Sequence, residues 1–334
     1  MPTIAIAGGS GGIGKAIARA VVERGKHDVL ILSRKPSDDP KTLVVDYLDV
    51  SKLQSVLEGR NVHTVISALS FGNQGSVEAQ LNLIKASDQA VCVKRFMPSE
   101  FGALYKPEYD RIKHLPCKIV VLTGLLFKKL YRHIESLPLY AGKFKAVEEL
   151  ENTTLEYTRF SNGMFMDYWF APFVPSAFPA NLPCWIDLAA KFAAIPGDGN
   201  TAMVLTHSQD VGRFVAAVLD LPRWEKRYCL AGDRLTLNEF LSIAEEGIGV
   251  DFEKCYDGVD MLERGECTFS PSFEASLPEG FDLDIMKGMI ASSGARQVKG
   301  ELDLPVEGML NDVFPELETF KVKDAVRLWV NNHN

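Results

Sequence analysis

Five glycines fall within seven residues close to the start of the chain, in the stretch IAIAGGSGGIGKAIARAVV. The apolar run TIAIAG at 3–8 is typical of a buried parallel strand, and IGKAIARAVVERG repeats apolar residues at helical spacing. At a strand-to-helix turn, the first N–H groups of the helix and the positive end of its dipole attract a diphosphate if no Cβ blocks its approach. The stretch therefore predicts a phosphate-binding turn; the alternative is a flexible turn without a ligand.

The glycine spacing fits two dinucleotide-binding patterns: Gly-x-Gly-x-x-Gly at 9, 11 and 14, and Gly-x-x-Gly-x-x-Gly at 8, 11 and 14. The first belongs to the general dinucleotide fold and the second to its short-chain reductase variant, so the motif alone leaves both open. In either case the residues expected to contact the phosphates are Gly8, Ser10, Gly11, Gly12, Ile13 and Gly14.

The end of the next predicted strand, DVLILSRKP at 28–36, indicates which dinucleotide binds. A site for NAD places an acid about 20 residues after the glycines to bind the ribose 2′-hydroxyl, whereas a site for NADP places a cation for the 2′-phosphate. This chain has Ser33, Arg34 and Lys35 there. A guanidinium binds a phosphate through two hydrogen bonds and stacks on adenine, which favours NADP(H). The alternative is an exposed basic pair after a strand.

Strands and helices alternate through the first hundred residues, which predicts parallel βαβ units and an α/β fold with a doubly wound parallel sheet, the Rossmann fold. Further strands are predicted at 41–49 and 62–70. Ligands bind at the carboxyl ends of such strands. We therefore expect Asp46 near adenine, and Ser67, Ala68 and Leu69 near the nicotinamide ribose. Ordinary strand-end structure would place the same residues there.

Three further stretches resemble those of a known family: RFMPSEFG within the fifth predicted strand (93–103), YAGKFKAVEELENTTLEYTRFSNGMFMDYW at 140–169, and THSQDVGRFVAAVL at 206–219. With the glycine-rich start, they resemble the NmrA-like and isoflavone reductase-like proteins, an atypical branch of the short-chain dehydrogenases. This group includes phenylcoumaran benzylic ether reductases and pinoresinol-lariciresinol reductases. The likeness covers residues 1–102 and 140–235.

The resemblance implies that Lys143 is the catalytic lysine and also binds the cofactor. An ordinary short-chain dehydrogenase uses Tyr-x-x-x-Lys, which places both side chains on one helix face. That pair is absent, because Tyr140 precedes Lys143 by only three positions. Spacing alone permits another interpretation, in which Lys143 and Lys145 are solvated residues of an amphipathic helix.

The resemblance also implies which residues line the pocket. Ser99 and Glu100 follow the fifth strand, where Ser99 is expected at the cofactor and Glu100 at the substrate. The alternative is a turn whose carboxylate caps a helix. The other expected pocket residues are Phe101, Asn162, Gly163 and Phe165, and the alternative for Phe165 is simple core packing.

Composition excludes several classes of function. With 36 basic and 44 acidic side chains the net charge is −8, so nucleic acid is not an expected partner. The six cysteines form no Cys-x-x-Cys pair, which predicts reduced thiols in a cytoplasmic protein and no metal site. The longest apolar stretch, at 119–127, is far shorter than the roughly 20 residues of a membrane-spanning helix.

We expect two interleaved domains. Residues 1–162 and 197–232 form the nucleotide-binding domain, with RYCLAG at 227–232 returning to the main sheet. Residues 163–196 and 233–334 form a smaller α+β substrate domain, mostly helical after 232. Prolines interrupt an aromatic stretch after 163, which predicts an irregular wall beside the cofactor. Ser208 is expected to cap a helix. The segment 103–140 is longer than family members usually have, and could be a lid, an oligomer contact or an irregularly packed helix.

These observations predict a reductase that uses NADP(H) on a small aromatic, conjugated or polyketide-like metabolite. Two alternatives stay open. Because the usual tyrosine is missing, the chain could instead bind NADP(H) as a redox sensor and regulate a protein partner, as NmrA-type members are thought to do. It could also use the cofactor for dehydration or isomerisation.

Overall fold

A six-stranded parallel sheet forms the first half of this computed structural model, which describes residues 1–70, 74–104, 137–178, 182–270, 273 and 283–333 of the 334-residue chain. The strand order is β3-β2-β1-β4-β5-β6, and every neighbouring pair is parallel. This order confirms the doubly wound α/β fold, because the winding reverses between β1 and β4. The strands are β1 (Thr3–Ala7), β2 (Asp28–Ser33), β3 (Thr42–Val44), β4 (Val62–Ser67), β5 (Arg95–Met97) and β6 (Glu156–Tyr157).

The strands are shorter than predicted, most of all β3 and β5. After β3, the carboxylate of Asp46 accepts a hydrogen bond from the N–H of Leu48 and turns the chain out of the sheet. After β5, Pro98 has no N–H to donate to a neighbouring strand, and the N–H of Ser99 donates to the Gln80 side chain instead. Both polar residues thus lie in loops at the carboxyl edge of the sheet.

Helices cover both faces of the sheet. Among the described residues, the helices on the sheet begin with α1 (Gly12–Arg24), α2 (Val50–Gly59), α3 (Gln74–Gln89) and α4 (Leu137–Glu151). A fifth short helix, α5 (Asp167–Phe170), precedes α6 (Ser208–Val218). One apolar cluster joins the sheet to α1 and α6, for example through Ile17 and Phe214. Another joins it to α2, α3 and α4, for example through Leu53, Ile84 and Leu150.

Short strands build the second half of the chain. They are β7 (Arg159–Ser161), β8 (Met164–Phe165), β9 (Ile186–Asp187), β10 (Phe192–Pro196), β11 (Ala202–Thr206), β12 (Arg227–Cys229), β13 (Asp233–Thr236) and β14 (Glu253–Asp257). They form two three-stranded sheets, β14-β10-β9 and β13-β11-β8, and the pair β12-β7. The segment predicted to return to the main sheet, β12, pairs with β7, which continues the chain from β6 in a separate two-stranded ladder.

Helices dominate the described chain after β13. They are α7 (Leu237–Ile248), α8 (Val259–Glu263), α9 (Leu283–Val298), α10 (Leu310–Val313) and α11 (Val322–His333). Most of the largest apolar cluster comes from 163–196 and 233–334, with Ala103, Met203 and Leu205 as exceptions. This supports the two-domain division, which we keep as a proposal. Most of the predicted extra segment, residues 105–136, lies outside the described residues.

The start of α6 differs from the prediction by one residue. His207, not Ser208, is the N-cap, and its ring Nδ1 accepts a hydrogen bond from the N–H of Gln209 at 3.3 Å. Ser208 is the first helical residue, and its hydroxyl donates to the buried carboxylate of Asp167. The prediction was wrong because the Ser208 hydroxyl does not cap the helix. It donates instead to the carboxylate of Asp167, 41 residues earlier in the sequence.

Candidate functional site

The glycine-rich turn packs tightly against the end of β4. A Cβ on Gly14 would lie 2.3 Å from the carbonyl oxygen of Gly8, and one on Gly8 would lie 2.8 Å from that of Ala68. The N–H of Ala68 donates to Ala7 at 2.8 Å. Gly8 and Gly14 therefore allow the close approach of the turn, α1 and β4, and Ala68 lies beside the turn. Its contact with the nicotinamide ribose stays a prediction.

Gly11 and Gly12, by contrast, border open space. Gly11 is the N-cap of α1, and no described atom lies within 4 Å of the position that its Cβ would take. Near Gly12 the only such contact is Phe178 Cε1, at 3.8 Å. No side chain caps the helix, and its first turn has no acidic residue. The first amides of α1, including that of Ile13, thus keep the free space and positive potential that a diphosphate needs. Ser10 is exposed at the tip of the same turn.

The residues predicted to bind the 2′-phosphate lie at the end of β2. The Ser33 hydroxyl donates to the Lys35 carbonyl at 2.9 Å and accepts from the Lys35 N–H at 3.0 Å, which fixes a compact turn. Arg34 and Lys35 are exposed on this turn. Tyr47 donates its hydroxyl to Leu32 at 2.9 Å. Burial raises the Tyr47 pKa, although the Gly8 amide and the Arg34 charge oppose the rise.

Two other predicted contacts have local roles. Asp46 is exposed, and its side chain holds the turn that follows β3. Leu69 is partly buried against the cluster under α2, α3 and α4. Ser67, the last residue of β4, is fully buried, and its hydroxyl has no hydrogen-bond partner among the described residues.

Gln80, on α3, is a site residue that the sequence analysis missed. Its side-chain oxygen accepts from the N–H of Ser99 at 2.9 Å, and its side-chain nitrogen has no hydrogen-bond partner within the described chain. Ser99 and Gln80 are both buried. A polar side chain on the buried face of α3 was the available signal.

Glu100 lies in a buried cluster of charged side chains. It is 3% exposed, and its carboxylate oxygen is 3.9 Å from Nε of Arg159. Burial raises the Glu100 pKa, and the charges of Lys143, Arg159 and Arg227 oppose the rise. This cluster places one carboxylate within electrostatic range of three cations. The contact of Glu100 with the substrate stays a prediction.

Lys143 lies on α4 and is 8% exposed, whereas Lys145 is exposed. The interpretation of both as solvated residues is therefore wrong for Lys143. The structure brings Lys143 to Glu100, at the carboxyl side of β5 and on the sheet face covered by α4. Its catalytic role stays a prediction.

Arg159 and Arg227 are further residues that the sequence did not indicate. They are direct neighbours across the parallel pair β7-β12, and Arg227 donates to the Ser161 hydroxyl at 2.7 Å. Like charges placed opposite each other repel, so the nearby Glu100 offsets an unfavourable pair. The two arginines are far apart in the sequence and become neighbours only because β7 pairs with β12. No local motif predicts that contact.

The remaining predicted pocket residues are mostly buried. Phe101 packs against Phe160, with ring centres 6.0 Å apart, and belongs to the core. A Cβ on Gly163 would lie 2.1 Å from the Val204 carbonyl oxygen, so this glycine serves close packing. Asn162 is fully buried, and neither side-chain atom has a hydrogen-bond partner among the described residues.

Phe165 belongs to an aromatic cluster with Tyr168 and Phe178. Its ring centre lies 6.0 Å from that of Tyr168 and 5.0 Å from that of Phe178. The rings of Tyr168 and Phe178 are 5.4 Å apart. Because Phe178 also borders Gly12, this cluster forms an aromatic wall beside the glycine turn.

The sequence of this chain is similar to a known family and to named proteins. Residues 1–121 match the model of the NmrA-like family. Oxidoreductase BOA1 of Botryotinia fuckeliana (strain B05.10) is 36% identical over 250 residues, which cover 73% of this chain and 75% of that protein. The chain belongs to the NmrA-like family. The family that the sequence stretches resembled is thereby confirmed.

Two further proteins are similar to this NmrA-like chain. Phenylcoumaran benzylic ether reductase PT1 of Pinus taeda is 26% identical over 271 residues, which cover 76% of this chain and 77% of that protein. The solved binary complex of leucoanthocyanidin reductase with NADPH from Vitis vinifera matches with a TM-score of 0.69 at 19% identity, covering 98% of this chain and 99% of that one. The NmrA-like chain thus shares the fold of that reductase.

The part of this NmrA-like protein that the structure describes holds neither a membrane-spanning helix nor a group of metal-binding side chains. None of its helices combines the length and apolar character needed to cross a membrane. No three His, Cys, Asp or Glu side chains in that part of the chain are grouped as a metal site requires.

Proposed function

We propose that this chain is an NADPH-dependent reductase of a small aromatic or conjugated metabolite. The observation that carries the proposal is the open, uncapped start of α1 at the same sheet edge as the buried Lys143 and Glu100. The names of the related oxidoreductase and benzylic ether reductase support the same class of reaction.

The residues present fit the cofactor at both ends. The amides of Gly12 and Ile13 would bind the diphosphate, because no described side chain occupies the space beside Gly11. Arg34 and Lys35 would bind the 2′-phosphate from their exposed turn, and Ser33 holds the turn in shape. When bound, NADPH supplies a hydride.

Lys143 supplies the proton in this proposal. As hydride reaches an electron-poor carbon, negative charge develops on the attached oxygen, and an ammonium N–H donates a proton to it. Burial raises the Glu100 pKa and the Lys143 charge opposes that rise; in its ionised form, Glu100 in turn favours the charged form of the lysine. Replacing Lys143 is therefore expected to lower turnover more than it lowers the stability of the fold.

The test is NADPH consumption, followed by absorbance with aromatic ketones, enones and benzylic ethers as acceptors. Lys143→Met is expected to lower kcat at least about a hundredfold, the usual contribution of a positioned acid. The exposed Lys145→Met, on the same helix, is expected to keep wild-type turnover. Full turnover by Lys143→Met would refute the assignment.

The same assay separates the two alternatives. The missing Tyr-x-x-x-Lys pair favours an NADP(H) sensor that acts on a protein partner. The sensor hypothesis predicts that the chain binds the cofactor but turns over no acceptor. A dehydratase or isomerase predicts product formation without net NADPH loss.

The five described cysteines are free thiols, which supports a cytoplasmic location.

A further inference from the structure

A buried carboxylate anchors the loop that follows α5. Asp167, at the start of that helix, is 1% exposed. Its Oδ1 accepts hydrogen bonds from the hydroxyls of Ser176 at 2.7 Å and Ser208 at 2.5 Å. Its Oδ2 accepts from the N–H of Ser208 at 2.8 Å. Asp167 therefore joins the loop to the first turn of α6.

The two serine hydroxyls also fix the backbone just before Phe178. Ser208 Oγ accepts from the N–H of Ala177 at 3.2 Å, and Ser176 Oγ accepts from the N–H of Phe178 at 2.9 Å. Each hydroxyl thus donates to the carboxylate and accepts from the loop. Hydrogen bonds to a buried charged group are stronger than neutral ones, so this arrangement holds Phe178 in one place.

The ring of Phe178 is held at the beginning of α1. It packs against Phe165 and Tyr168 on the sheet face that α1 and α6 cover, and its edge borders Gly12. Lys143 lies on α4, which covers the opposite face. Phe178 is therefore next to the diphosphate-binding amides and on the other side of the sheet from the lysine.

We propose that Phe178 is a cofactor-binding residue that covers the diphosphate-binding turn, and that Asp167, Ser176 and Ser208 are its positioning residues. The proposal rests on the cofactor site of the proposed function. A half-buried aromatic ring beside the turn excludes water from the hydrogen bonds between phosphate and amide, and such bonds are stronger where water is absent. The ring thereby slows dissociation of the dinucleotide.

The test measures dissociation rates of NADP⁺ and NADPH by stopped-flow fluorescence, with no acceptor present. Phe178→Ala is expected to raise both rates about tenfold, the equivalent of a lost aromatic contact. Both rates should rise equally, because the two forms carry the same diphosphate. With an acceptor that the wild type reduces, the KM for that acceptor should stay within about twofold, since Phe178 and Lys143 lie on opposite faces.

Two further variants test the positioning residues. Ser176→Ala is expected to raise both dissociation rates about threefold, and Ser176→Thr, which keeps the hydroxyl, should restore the wild-type rates. The matched control is Phe173→Ala in the same loop, because Phe173 packs on Trp329 and His333 of α11. It should lower thermal stability and leave both dissociation rates unchanged.

Three results would overturn the inference. One is an unchanged dissociation rate in Phe178→Ala. Another is an equal rise in Phe173→Ala, which would indicate general loosening. A third is a change in acceptor KM alone, which would assign Phe178 to the substrate. If the wild type binds neither dinucleotide, the proposed function fails as well; if it binds both and Phe178→Ala does not differ, only this inference fails.

Discussion

Among the single residues of the candidate site, Glu100 is the buried carboxylate on which the charge of Lys143 acts. It lies buried, and the charges of Lys143, Arg159 and Arg227 all act on its carboxylate. A carboxylate in that position favours the ammonium form of a neighbouring lysine. Its contribution should therefore be visible in the pH dependence of the reaction.

Glu100→Gln is expected to shift the alkaline limb of the kcat/KM profile to lower pH by about one unit, because an opposite charge shifts a titration by about 1–3 units. The reason is that the lysine loses its proton more readily without the carboxylate. The measurement is the rate of NADPH oxidation across the pH range. Glu148 is exposed on α4, the helix that carries Lys143. Glu148→Gln is therefore the matched control and should keep the wild-type profile. If the alkaline limb does not shift in Glu100→Gln, Glu100 does not influence how readily Lys143 loses its proton.

At the scale of elements, contiguous features could be predicted and juxtaposed ones could not. The glycine turn lies within a few residues of sequence, and its strand and helix follow from local patterning. Lys143 and Lys145 stand on one helix, and only packing decides which of them is buried. Arg159 and Arg227 meet through the pairing of β7 with β12, and the sequence carries no mark of that register.

One carboxylate just after α6 contacts three basic side chains at and after the end of α1. Asp220 accepts side-chain hydrogen bonds from Arg24 at 2.7 Å and Lys26 at 2.8 Å, and lies 3.0 Å from Nε2 of His27. Burial opposes ionisation of Asp220, but the hydrogen bonds from Lys26, Arg24 and His27 outweigh it and lower the pKa below its usual value. The resulting stability is therefore present above the unfolded-state pKa and is lost as the pH falls through the folded-state pKa.

Asp220→Asn is expected to lower the free energy of unfolding by about 1 kcal/mol at pH 7, since the pairs are partly exposed. The difference from wild type should shrink as the pH falls below about 4, where the wild-type carboxyl also becomes protonated. Urea unfolding at several pH values measures both. Glu23→Gln, which removes the exposed pair with Arg19, should have almost no effect. A difference that stays constant down to pH 3 would contradict this account.

At the scale of the whole molecule, the sheet separates two kinds of site residue. Phe178 packs on the face covered by α1 and α6, and Lys143 lies on the face covered by α4. The glycine turn lies where the winding of the sheet reverses, between β1 and β4. An extended dinucleotide bound at the carboxyl ends of the strands would reach from Arg34, after β2, toward Lys143. The proposed diphosphate site and the proposed catalytic lysine thus lie on different faces of the sheet.

The most direct measurement of the central claim is calorimetric titration of NADPH into Gly11→Val. Gly11 has an extended backbone that any residue adopts and no described atom near its Cβ position, so the variant should fold with wild-type stability. Gly258→Val is the matched control, since Gly258 is also an uncapped helix N-cap with an open Cβ position. We predict that Gly11→Val weakens NADPH binding about tenfold or more, because its side chain fills the space beside the amides, while Gly258→Val binds normally. Wild-type affinity in Gly11→Val would contradict the account.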